Sequence, residues 1–211
     1  MFSRSMVTCT VFAAALVLAA GNASATETTT YRTGATAPLL YFCENFIPGI
    51  SPQPMNIETR FDAPASVPSG TSITPTNVSG TLVLAPGPHA LLDTMGFDGL
   101  RGQVSAGLTA TGATLSGPAA SALTIPETIA PFGGSMTIPF AQSADSSVPS
   151  LTAGAPGTAT VSATSVILSL QYHKKANGIW EPATPWKVTC SLKVTNPKQN
   201  SAFTPAITVT E

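Results

Sequence analysis

Trp186-Lys187-Val188-Thr189-Cys190-Ser191-Leu192-Lys193-Val194-Thr195 alternates residue by residue between an apolar and a polar side. Trp186, Val188, Cys190, Leu192 and Val194 face one way; Lys187, Thr189, Ser191, Lys193 and Thr195 face the other. A period of two belongs to a β-strand, so the stretch reads as a strand laid against a core. Near the other end of the chain, Leu39-Leu40-Tyr41-Phe42-Cys43 is apolar on both alternations, and the stretch as far as Ile47 is read with it. That pattern predicts a strand buried on both sides or nearly so. Each of these strands carries one cysteine, Cys43 or Cys190.

Most of what lies between them reads as more strands. Met55, Ile57, Thr59 and Phe61 share one face, with Asn56, Glu58, Arg60 and Asp62 on the other, as in a strand with one wet side. Ala63-Pro64-Ala65-Ser66-Val67-Pro68-Ser69-Gly70 is punctuation, because proline cannot donate to a ladder. Strand signals return at Val78 to Ala85, from Gln103 to Ala110, at Leu123 to Ile129 and at Met136 to Phe140. Leu91, Leu92 and Met95 follow Pro88 at helical spacing and predict one or two turns of helix. From Thr158 to Tyr172 the apolar positions switch from odd (Ala159, Val161, Ala163) to even (Val166, Leu168, Leu170, Tyr172). One extra residue near Thr164-Ser165 explains the switch, since a β-bulge reverses the facing of everything after it. Asn177-Gly178 marks a hairpin turn, and Phe203, Pro205, Ile207 and Val209 line a last strand. Eight to ten strands with no βα alternation predict an all-β antiparallel β-sandwich with one short helix.

The beginning of the chain bears on compartment. Arg4 is the single charge in Met1 to Thr10; the apolar run Val11 to Ala20 and the small-residue site Ala23-Ser24-Ala25 follow. This is the order of a secretory signal peptide, with cleavage expected after Ala25. The run is shorter than the roughly twenty residues needed to span a bilayer, so no membrane span is expected in the mature protein. Residues 1–25 are thus read as a signal peptide, 26–38 as a flexible Thr-rich lead-in and 39–211 as one domain. Charged residues make up 9% of the chain against about 25% in ordinary soluble proteins. With a net charge of −1 and no cluster of Lys and Arg, the chain is not built to bind nucleic acid.

Cys9 precedes the apolar run and leaves with it, so Cys43 and Cys190 are the pair of a secreted chain and read as a disulfide. Two buried free thiols are the alternative. With two cysteines and no histidine nearby, a zinc site is poorly served.

Tyr41-Phe42-Cys43, a proline-rich turn, an amphipathic strand, Ala63 to Gly70, and the distant Trp186-Lys187-Val188-Thr189-Cys190 before a Thr-rich last strand come in a characteristic order. The order resembles an uncharacterised family of secreted actinobacterial domains of unknown function. The resemblance spans about residues 39–211 and implies an Ig-like β-sandwich closed by one disulfide, with no catalytic residues to carry over.

Chemistry is sparse. No G-x-S-x-G elbow, H-E-x-x-H helix or EF-hand loop is present. Asp93 and Asp98 flank a loop that imitates a cation site, with only two carboxylates. Asn77-Val78-Ser79 is a formal glycosylation sequon, read as incidental. No catalytic residue, metal or cofactor is expected. The remaining cluster is Tyr172, His173, Lys174, Lys175 and Trp180, around the Asn177-Gly178 turn. Aromatics beside cations are typical of contact surfaces. Trp186, on the inward side with Cys190, reads instead as core. The sequence predicts a secreted, non-catalytic protein acting through this surface, by cell-envelope or matrix association or by binding a protein, peptide or glycan. One alternative is an extracellular hydrolase, which requires two of Glu44, Glu58, Asp62, His89 and His173 to converge. The other is a structural component that self-assembles through exposed strand edges.

Overall fold

The computed structural model describes residues 27–34, 37–47, 49–130 and 133–211. The signal peptide and its cleavage site at Ala25 lie outside the described residues, as do the turn residues Pro48 and Pro131. Along the chain come β1 (Thr28–Arg32), β2 (Leu39–Glu44), β3 (Gln53–Pro64), β4 (Ser66–Pro68), β5 (Ser72–Ile73) and β6 (Thr76–Leu84). The helix α1 (Pro86–Thr94) precedes β7 (Phe97–Thr111), β8 (Ala113–Leu115), β9 (Ala119–Ile129) and β10 (Met136–Ala141). β11 (Leu151–Ala153), β12 (Gly157–Lys174), β13 (Trp180–Leu192) and β14 (Ile207–Thr210) complete the fold.

The fold is all-β and sandwich-like, with one helix among the described residues. Its strand pairing closes on itself. β13, β2, β3, β6, β10, β9, β7 and β12 follow one another in antiparallel pairs, and β12 pairs with β13 again. Closure gives every ring strand a neighbour on both sides and so shortens the edges that invite self-association, although β2 covers β13 only from Thr189 to Leu192. Its thinnest seam joins β9 to β10, with Ala141↔Thr124 as the register pair. β12 runs the whole length: Gly157 to Ala159 pair with β14 at one end, and Tyr172 and His173 with β13 at the other. A small sheet, β5-β11-β8, lies apart from the ring.

The bulge falls where the change of phase demands it. The β12–β7 register shifts between Ala163 and Val166. Consequently Ala159, Val161 and Ala163 before the shift, and Val166, Leu168, Leu170 and Tyr172 after it, all reach the core. Gly107 on β7 faces this shift, where an added Cβ would come within 2.5 Å of Thr164 Oγ1. Cys43 stands directly opposite Cys190 on β2 and β13, and the two form a disulfide buried in the core. The bond therefore fastens neighbouring strands of one ring. Gln199 reinforces the same place from outside: its side-chain amide accepts from Leu40 N–H at 2.7 Å and donates to Leu40 O and Lys193 O.

Several expectations change. β13 ends at Leu192, leaving Val194 92% exposed rather than inward, and β2 is buried on one side only, with Phe42 39% exposed. The lead-in contains β1, which pairs with β3 from Thr28↔Pro64 to Arg32↔Arg60. Tyr31 on this strand is buried, stacked on Phe61 at 5.1 Å, with its hydroxyl donating to Pro64 O. A Thr-rich strand with a single large apolar residue leaves little periodicity to read. The short strands β4, β5, β8 and β11 were equally silent, since two or three residues cannot display a period of two. The last strand begins later than expected, at Ile207, although Phe203, Ile207 and Val209 are core residues as the alternation requires.

Candidate functional site

The β12–β13 hairpin closes through Asn177-Gly178: Gly178 takes the left-handed conformation at φ 68, and its N–H donates to Lys174 O at 2.8 Å. Below the turn the register jumps. Leu170 pairs with Trp186 but Tyr172 pairs with Glu181, so Pro182 to Pro185 loop out of the ladder. Two prolines in four residues cannot sustain pairing, and Gln171 Nε2 holds the loop by donating to Pro182 O and Ala183 O. The bulge leaves two tryptophans on opposite faces of β13.

On the outer face, Trp180 lies opposite His173. The Arg101 guanidinium sits 4.7 Å from its ring centre, and the His173 ring is 5.1 Å away on centroids. Arg101 is anchored by Glu127 and Gln171, and His173 by Asp98 at 2.5 Å. Trp180 is half-buried in this stack, occupied by its own neighbours.

On the inner side the ring opens at its end. Phe97, Tyr172, Pro182 and Trp186 wall a cleft of about 250 Å³, with Glu181 at its lip. Phe97 and Tyr172 pack at 5.4 Å on centroids with their planes tilted by 40°. Trp186 remains 37% exposed. Its Nε1–H donates to Asn45 O at 2.6 Å, which fixes the indole with its face along the cleft. The Tyr172 hydroxyl donates to Phe46 O, and burial pushes its pKa upward. Lys174 Nζ reaches the Glu181 carboxylate at 3.2 Å, and both side chains are partly exposed.

These positions redraw the expected contact surface. Tyr172 is only 2% exposed and belongs to the core, because the bulge at Ala163/Val166 turns it inward. Lys175 pairs with Asp93, and His173 and Trp180 are tied into the outer stack. Lys174 alone of the predicted cations borders the cleft side of the hairpin. Trp186 does share the inward face, opposite Leu170, but lies beyond the end of the filled core. Phe97, Glu181 and Pro182 were not predicted; the signal in the sequence is Trp186 at the outermost inward position of its strand, directly after Pro182 and Pro185.

The acid–base residues do not converge. Asp62 accepts from Thr30 Oγ1 and Asn77 Nδ2; these bonds, with Arg60 nearby, hold its carboxyl below the ordinary range. His89 is 3% exposed, on the buried side of α1 with Nδ1 at 3.1 Å from Gly134 O. His173 pairs with Asp98. Glu58 lies on the solvent-facing side of β3 and Glu44 is exposed at the end of β2. Asp93 and Asp98 are engaged by Lys175 and His173 respectively. Among the described residues, no three His, Cys, Asp or Glu side chains gather to hold a metal ion. The described residues include no helix long and apolar enough to cross a membrane.

A separate apolar void of about 30 Å³ lies among Phe61, Ile73, Val78, Leu108, Leu151 and Phe203. It has the volume of about two or three water-sized probes and an almost wholly apolar wall, Thr59 being the one polar residue on it, so it is read as a packing defect.

Residues 40–204 match a family of unknown function, DUF6801. The chain belongs to that family. The match begins at β2 and ends just before β14, so the ring, the disulfide and every wall of the cleft lie within the DUF6801 region. No curated protein and no solved structure matches this DUF6801 chain.

Proposed function

We propose that this DUF6801 chain is an exported, non-catalytic binding protein whose contact site is the cleft of Phe97, Tyr172, Pro182 and Trp186. The observation that carries the reading is the contrast in how the two tryptophans are satisfied. Trp180 is covered by Arg101 and His173, whereas Trp186 has its one donor satisfied and an open face. A preformed concave apolar site with few polar groups at its edge is the usual form of a ligand site. The signal-like start and the disulfide favour work outside the cell, on a partner in the cell envelope or matrix. A hydrolytic reading has less support, since Glu44, Glu58, Asp62, His89 and His173 have separate surroundings. So has assembly through strand edges, because every ring strand has a neighbour on both sides along at least part of its length.

The test is retention of the purified mature protein on insoluble cell-envelope material. Trp186→Ala is expected to abolish retention and Trp180→Phe to preserve it, with both variants matching the wild type in circular dichroism. Equal retention of wild type and Trp186→Ala would refute the cleft as the contact site.

A further inference from the structure

We infer that the occupant of the cleft is a single uncharged pyranose ring of a glycan, an inference that rests on the binding reading above. The walls of the cleft are three aromatic rings and a proline, and the polar tips of Trp186 and Tyr172 are spent on Asn45 O and Phe46 O. Trp186 offers an open indole face and Phe97 a partly exposed ring, Tyr172 forms the buried floor, and none has a hydrogen bond to give. Polar recognition falls to the lip, where Glu181 supplies acceptors and Lys174 supplies donors, 3.2 Å apart and partly exposed.

A ligand matching this must have an apolar face and, along one edge, groups that donate to a carboxylate and accept from an ammonium. Neighbouring hydroxyls on a sugar ring do both, while the ring's C–H face covers an indole. Other occupants fit less well. A quaternary ammonium favours an aromatic cage, but here the ammonium of Lys174 already neutralises the carboxylate and repels a second cation. An anion meets Glu181. A peptide adding as a strand needs a regular unpaired edge; beside the cleft β2 reaches β13 only from Thr189 to Leu192, and in the part it leaves uncovered Pro182 and Pro185 break the row of donors that strand addition uses. The volume of about 250 Å³ is just below the roughly 300–1,000 Å³ of drug-sized pockets, room for one ring rather than a buried chain.

The test is calorimetric titration of the mature protein with cello-, chito- and manno-oligosaccharides, and in parallel with choline and a proline-rich peptide. At least one oligosaccharide is expected to bind, with affinity falling about tenfold or more in Trp186→Ala, as for a central aromatic contact. Glu181→Gln, which keeps the shape of the lip, should weaken the same sugar several-fold and provides the result if Trp186→Ala misfolds. Choline or the peptide binding in a Trp186-dependent way, with no sugar binding, would overturn the pyranose while leaving the cleft as the site. No binding of any probe, or sugar binding indifferent to both substitutions, would overturn the inference; the second outcome would also count against the cleft.

Discussion

Trp180 and Trp186 stand on one strand, either side of the Pro182–Pro185 loop, and meet opposite fates. Trp180 faces outward and is enclosed by Arg101 and His173, each held in turn by a carboxylate. Trp186 faces inward and is left open, because the core ends beneath it and nothing among the described residues fills the space in front. Outward-facing is therefore not the same as available. What separates the two is the supply of neighbours: the outer face of β7, β9 and β12 carries charged side chains long enough to cover an indole, and the ring's end does not.

The largest effect should come from removing the staple beneath Trp186. Replacing Cys43 and Cys190 together by Ala is expected to cost about 2–5 kcal/mol in denaturant unfolding, since the bond closes most of the domain into one loop. Trp186, four positions along β13, should report this by a change in fluorescence larger than that of Trp180. Next comes Trp186→Ala, expected to lower affinity about tenfold or more, about 1.4 kcal/mol of binding energy, while Trp180→Phe leaves binding intact. A smaller effect, of about 0.5–1 kcal/mol in stability and none in binding, is expected from Arg101→Ala, which uncovers Trp180.

Protonation sharpens the same contrast. Burial pushes the Tyr41 hydroxyl up to about 12 and shifts that of Tyr172 in the same direction. Unfolded tyrosines lose their protons near pH 10, so above that pH the unfolded state binds fewer protons than the folded one. Stability should then be complete below about pH 10 and decline as the pH rises toward the folded values. Tyr172→Phe is expected to flatten that alkaline limb in thermal melts, at a cost near neutral pH of about 1–3 kcal/mol for leaving Phe46 O without its donor. Asp62 works in the opposite sense and more weakly, being well solvated. Its lowered pKa contributes stability above about pH 4 that is lost as the pH falls through the folded value. Asp62→Asn should make the acid limb slightly shallower.

Much of the architecture was legible because buried strands longer than about five residues display their period. β3, β7, β12 and β13 announced themselves, and the change of phase in β12 even located its bulge. Cys190 was legible as inward from the alternation of its strand; Cys43 was not, because β2 is apolar on both alternations and only the register, which sets the two opposite one another, shows which side is buried. Short strands and the Thr-rich β1 were not, having too few apolar residues to mark a face. The site was harder. Composition drew the eye to the polar tip of the hairpin, whereas the cleft depends on where the core stops, which only the register of β7, β12 and β13 reveals. Tyr172 and Trp186 share an inward side by alternation; which of them is buried follows from what stands above each in space.

The most direct test of the cleft uses the chain's two indole N–H signals. In a nitrogen-edited NMR titration of the mature protein with the cello-, chito- and manno-oligosaccharides, the Trp186 signal should shift saturably with at least one sugar. The Trp180 signal should stay in place. A titration in which Trp180 alone moves, or in which neither moves, would contradict the account.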